Sequence, residues 1–156
     1  MADRSVVHTT IVVERTYDAA PKRVFAAWAD PAAYVSWHVP GDDWTIVEAE
    51  HDFRVGGRAF RRFGPPGEPI QHVEGRYEDI VPNERIVRSA TMHTRGRRTS
   101  STLCTVEFLP ESGGTRLILT DQSAFLDGGE TPAIREGGWG AILDKLGAHL
   151  TRERPV

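Results

Sequence analysis

The stretch TPAIREGGWGAILDKLGAHL, residues 131–150, sets the reading of the whole chain. Trp139, Ile142, Leu143, Leu146 and Leu150 recur at offsets of three, four, seven and eleven residues, which makes them one apolar stripe on an α-helix. Thr131 is suited to cap that helix and Pro132 to open its first turn. Asp144, Lys145, His149 and Arg152 fall off the stripe, as a solvated back requires. Gly137, Gly138 and Gly140 each cost a helix about 0.5–1 kcal/mol relative to Ala, so something offsets them. Two explanations stand side by side: close packing against another element, or room for a ligand beside Trp139.

Upstream, the chain opens with VVHTTIVVERTY, a β-branched run that predicts a strand over residues 6–17. DAAPKRVFAAWADPAAYVSW follows, with Val24, Phe25 and Trp28 at helical spacing after Pro21, and Pro31 ending that helix. A second short helix runs from Pro31 toward Trp37, with Asp30 as its expected cap and Pro40-Gly41 closing it. From Trp44 onward the chain reads as about six strands, with turns at Val55-Gly56-Gly57, Gly64-Pro65-Pro66-Gly67, Pro82-Asn83 and Ser112-Gly113-Gly114. Gly75 is the expected position of a bulge.

This order predicts an α+β fold, with a curved sheet of six or seven antiparallel strands and two short helices after the first strand. The long C-terminal helix is the only element apolar enough to cover the concave face. The 156 residues show no repeat, linker or low-complexity tract and read as one domain, 1–156. A net charge of −3 gives no basic bias toward nucleic acid, and no apolar run is long enough to span a membrane. The first residues lack a secretory apolar region, so a cytoplasmic location is expected. Cys104 is the lone cysteine and alternates with Val106 and Phe108, which reads as one face of a buried strand.

RVFAAWADPAAYVSW, FRVGGRAF, GRYEDIVPNERIV, TVEFLPESGGTRLILTDQ and GGWGAILDKLGAHL, in that order, resemble the SRPBCC superfamily of START and Bet v 1-like helix-grip folds. Within it the chain is similar to the activator of heat-shock protein 90 ATPase homologue family, of the stand-alone bacterial type, over residues 10–150. The resemblance implies a domain that binds a small apolar or amphipathic ligand. It implies two further readings: a polyketide cyclase or dehydratase using a cavity His and carboxylate, and a chaperone-associated stress-response module. Eukaryotic activators carry a further N-terminal domain, whereas only a short segment precedes the first strand here, so stimulation of a chaperone ATPase by this chain alone is not expected. At Trp37-His38 many relatives have Trp-Trp, which implies a more polar cavity entrance here.

His8, His38, His51, His72, His93 and His149 show no metal-ligand spacing, and no nucleotide fingerprint occurs, so no metal or cofactor is expected. His38, Glu48, His72, Glu74, His93 and Asp121 lie on elements that border the inferred cavity. In residues 70–81, however, His72, Glu74, Arg76 and Glu78 share one parity and Val73 and Tyr77 the other, which points those polar residues to solvent. Trp28 reads as core, while Trp37 and Trp44 read as cavity rim. The candidate ligand-binding set is Trp37, His38, Trp44, His93, Asp121, Phe125, Gly138, Trp139 and Ile142, with no catalytic residue assigned. Neither nucleic acid nor membrane is an expected partner, and a homodimer is compatible with the sequence.

Overall fold

Residues 4–152 are described by the computed structural model. The β-branched opening run forms β1 (Val6–Tyr17). The later alternating runs form β2 (Thr45–His51), β3 (Arg58–Gly64), β4 (Gln71–Val81), β5 (Arg85–Thr94), β6 (Arg97–Glu111) and β7 (Gly114–Leu126). All seven lie in one curved antiparallel sheet in the order β1-β7-β6-β5-β4-β3-β2. The meander is therefore extended by the first strand, which pairs with the last and sets Ile11 opposite Asp121 and Val13 opposite Leu119.

Turn chemistry fixes the hairpins. Ser112 (φ 50°) and Gly113 (φ 81°) both lie at positive φ, the geometry of a primed two-residue turn that matches strand twist. Arg95 and Gly96 repeat it between β5 and β6, at φ 50° and 81°, a turn not singled out from the sequence. Gly75 is not a bulge: the irregularity in the β4–β5 pairing lies between Tyr77 and Asp79. A Cβ on Gly75 would sit 2.5 Å from the Ser89 carbonyl oxygen, so this glycine permits a close approach of neighbouring strands.

The helices among the described residues are α1 (Pro21–Ala29), α2 (Pro31–Trp37) and α3 (Pro132–Arg152). Asp30 occupies the capping position of α2, but its side chain makes no capping hydrogen bond. Thr131 does cap α3, its Oγ1 accepting the Ile134 N–H at 3.2 Å. All five stripe residues of α3 are buried. They pack with Ile11, Val13, Val106, Leu117 and Leu119 from β1, β6 and β7, and α3 thus lies across the concave face. Each fully buried Leu in such a core contributes about 1.5–3 kcal/mol. At one end α1 and α2 add an aromatic plug, with Trp28 edge-on to Trp37 at 4.8 Å and Phe25 edge-on to Phe108 at 5.4 Å.

Register explains why the concave face is not filled throughout. Tyr77, Arg88, Cys104, Asp121 and Ile11 stand side by side across five strands. The next inward row is Gly75, Ala90, Thr102 and Ser123, all small. Where α3 passes over those small side chains, space is left beneath it.

Candidate functional site

That space is a cavity of about 570 Å³, within the ordinary range of ligand pockets. The N-terminal half of α3 forms one wall with Ile134, Trp139 and Ile142, and the sheet forms another with Phe63, Val73, Ala90 and Met92. Pro40, Gly41 and Trp44, in the connection between α2 and β2, close a third side. Two glycines of α3, Gly137 and Gly138, face this space. A Cβ on Gly137 would meet nothing within 4 Å, and one on Gly138 would meet only Pro40 Cβ, at 3.8 Å. Gly140 has a different neighbour, since its Cβ would lie 3.2 Å from Arg15 Nη2.

Of the residues expected from the sequence, Trp44, Gly138, Trp139 and Ile142 converge on the wall. The others lie elsewhere, each for a local reason. Trp37 is fully buried behind the wall because α2 turns its last residue beneath α1, where the indole Nε1 donates to the Ala27 carbonyl at 3.2 Å. His38 is fully buried too and does not form a polar entrance. It stacks on Tyr34 at 4.3 Å and stands edge-on to Trp28 and Trp139 at 5.5 and 5.6 Å. Neither ring nitrogen has a hydrogen-bond partner, and burial, reinforced by the charges of Arg61 and Arg88, lowers its pKa well below the ordinary histidine value.

Phe125 is core, with the Arg135 guanidinium 5.1 Å from its ring centre. His93 lies across the sheet from the cavity, because strand alternation turns Met92 inward and leaves His93 beside His72 on the outer face. Glu74 and Glu48 also face outward and pair with Arg58 and Arg62, at 2.7 and 3.4 Å. Asp121 is fully buried and wholly engaged: its Oδ2 accepts from Arg135 Nη1 at 3.0 Å and from Trp139 Nε1 at 2.8 Å, and Oδ1 accepts from the Ser123 hydroxyl.

Three arginines on the wall were missed by the sequence reading: Arg61, Arg88 and Arg135. Alternation was the available signal, since Arg61 shares parity with Ala59 and Phe63, and Arg88 with Ile86 and Ala90. Arg135 is compensated twice, by Asp121 and by Glu130, whose carboxylate takes its Nε at 2.6 Å and Nη2 at 2.8 Å. Arg88 donates from Nη1 to the Tyr34 hydroxyl at 2.6 Å, and its buried Nε has no partner. Arg61 sits with its guanidinium 4.9 Å from the Phe63 ring centre and has no hydrogen bond or ion pair among the described residues. Burial is the main influence on Arg61 and the charges of Arg88 and Arg135 add to it, pulling its pKa down to about 10.

Behind Arg88 a polar relay holds the aromatics. His51 Nε2 lies 2.9 Å from the Trp28 carbonyl, which makes that nitrogen the donor and leaves Nδ1 to accept from the Tyr77 hydroxyl at 2.8 Å. Burial raises the Tyr77 phenol well above its ordinary range, so it stays neutral and offers Arg88 no counter-charge. Cys104 also borders the cavity, where burial pushes its thiol up to about 12 and keeps it protonated at neutral pH. The cavity wall includes no histidine, and its carboxylate, Glu130, is bonded to Arg135. The pairing of cavity His and carboxylate that a cyclase would use is thus not brought together among the described residues. Among the described residues, three His, Cys, Asp or Glu side chains nowhere converge as a metal site, and no helix is long and apolar enough to cross a membrane.

Comparison with known proteins places the chain among bacterial relatives. An uncharacterised protein of Rhizobium leguminosarum is 36% identical, with a TM-score of 0.90 over 97% of this chain and 100% of its own. A protein of Rhizobium loti is 43% identical, with a TM-score of 0.84 over 93% of this chain and 99% of its own. An AHSA1-like protein of Aeromonas hydrophila, 24% identical with a TM-score of 0.71 over 92% and 93% of the two chains, shares the fold. No curated protein matches. Residues 18–151 match the family described as Activator of Hsp90 ATPase homolog 1-like protein, and the chain belongs to that family.

Proposed function

We propose that this protein binds a small amphipathic molecule, non-covalently, in the cavity between α3 and the sheet. The observation that carries this reading is the unfilled space itself: about 570 Å³ beneath a helix with glycines where its own side chains would otherwise intrude. A core selected only for stability fills such a volume, because cavities destabilise in proportion to their size. Trp44 and Trp139 supply apolar area, and Met92 an adaptable surface, for a ligand body.

Both tryptophans stand on the wall, so their emission reports occupancy. Titrating the protein with uncharged and charged amphiphiles should give a saturable change in tryptophan fluorescence, and Trp44→Phe should reduce its amplitude. If no member of a panel of linear and aromatic amphiphiles changes the emission, the reading fails.

A further inference from the structure

Resting on the ligand-binding reading above, we propose that the ligand is an organic acid, whose oxyanion is held by Arg61 and Arg88 and whose apolar body lies against Trp44, Met92 and Ile142. Arg61 and Arg88 are 6% and 7% exposed, and the carboxylate on the cavity wall, Glu130, is committed to Arg135. An ion taken out of water without a partner is strongly destabilising, and folded chains ordinarily compensate it, as this chain does for Arg135. Arg61 has no such compensation among the described residues: its guanidinium rests on the face of Phe63, and its buried Nε has no acceptor.

Arg88 has the phenol oxygen of Tyr34 and no carboxylate. The Tyr77 hydroxyl gives its proton to His51, and His38, packed on Tyr34, is held neutral. The histidines and phenols around the two guanidiniums therefore supply no negative charge. An incoming oxyanion would supply it, and the planar fork of guanidinium donors matches the oxygens of a carboxylate or a phosphate. The apolar side chains on the same wall favour a headgroup carried on an apolar body over a free inorganic ion.

The test uses matched pairs on the wild-type chain: decanoic acid against decan-1-ol, and naphthylacetic acid against naphthylacetamide, with decyl phosphate and inorganic phosphate as further arms. Isothermal titration calorimetry should show at least one acid binding about tenfold or more tighter than its neutral partner, the equivalent of one charge-assisted hydrogen bond. In Arg61→Met that preference should shrink to about threefold or less. Decyl phosphate binding in place of the carboxylates identifies the headgroup as phosphate, within the same proposal. Equal affinity for acid and neutral partner overturns the proposal while leaving the cavity reading intact. Absence of binding by every probe removes both. Thermal melting gives a readout independent of ligand: Arg61→Met should melt higher than wild type without ligand, since an uncompensated buried charge is removed. A lower melting temperature would show that Arg61 serves the fold and would overturn the proposal.

Discussion

His38 shows how one buried side chain couples the fold to pH. It is fully enclosed, has no hydrogen-bond partner on either ring nitrogen, and is held neutral by burial and by nearby arginine charge. The unfolded chain takes up a proton at this position near pH 6.5, whereas the folded chain resists until well below that value. The unfolded state thus binds more protons across that interval, and stability falls as pH drops from about 6.5. One such histidine contributes a slope of about 1.4 kcal/mol per pH unit. Urea unfolding of wild type and His38→Phe at pH 7.5 and 5.5 should show a smaller acid loss in the variant. Part of the loss persists there, because burial also lowers the His51 pKa. Parallel pH profiles would show that His38 does not supply the slope. The location of His38 was not readable from sequence, because the Pro40-Gly41 turn suggests a rim while the chain tucks residues 37–39 into the core first. Arg61 and Arg88 were readable in principle, since parity alone places both among inward residues. Arginine is so commonly exposed that alternation carried little weight against it.

Among the elements, α3 is the one whose sequence and structure correspond most closely. Its stripe, its Thr131 cap and its solvated back all follow from residue spacing. Most strand pairing was similarly readable from turn residues, the Arg95-Gly96 turn excepted, and the Tyr77–Asp79 bulge has no local marker in the sequence. The glycines of α3 required the structure to separate two explanations. Open space at Gly137 and an ordinary 3.8 Å contact at Gly138 favour room beside the helix over tight packing. Gly138→Ala should therefore stabilise the unliganded protein by about 0.4–1 kcal/mol, through helix propensity and a less flexible unfolded chain, while weakening amphiphile uptake. Chemical denaturation together with a fluorescence titration checks both halves. A clear loss of stability would mean that the added methyl overpacks the interface.

For the molecule as a whole, two regions of one concave face do different work. Toward β1 and β7, α3 is sealed onto large aliphatic residues, with Leu143 and Leu146 fully buried. Toward β3–β6 it leaves a cavity bordered by the small Ala90 and Thr102, with two guanidiniums that have no carboxylate partner among the described residues. The family and the fold are shared with bacterial relatives, and neither specifies a ligand. Occupancy of the cavity therefore bears the weight of the functional account. Native mass spectrometry of the intact chain after incubation with the acid and alcohol panel tests that occupancy, with a Gly138→Trp variant whose indole fills the space as the comparison. A one-to-one adduct is expected on the wild-type chain and is lost in Gly138→Trp; a bare wild-type chain with every probe, or equal adducts on both proteins, would mean that the cavity takes no ligand.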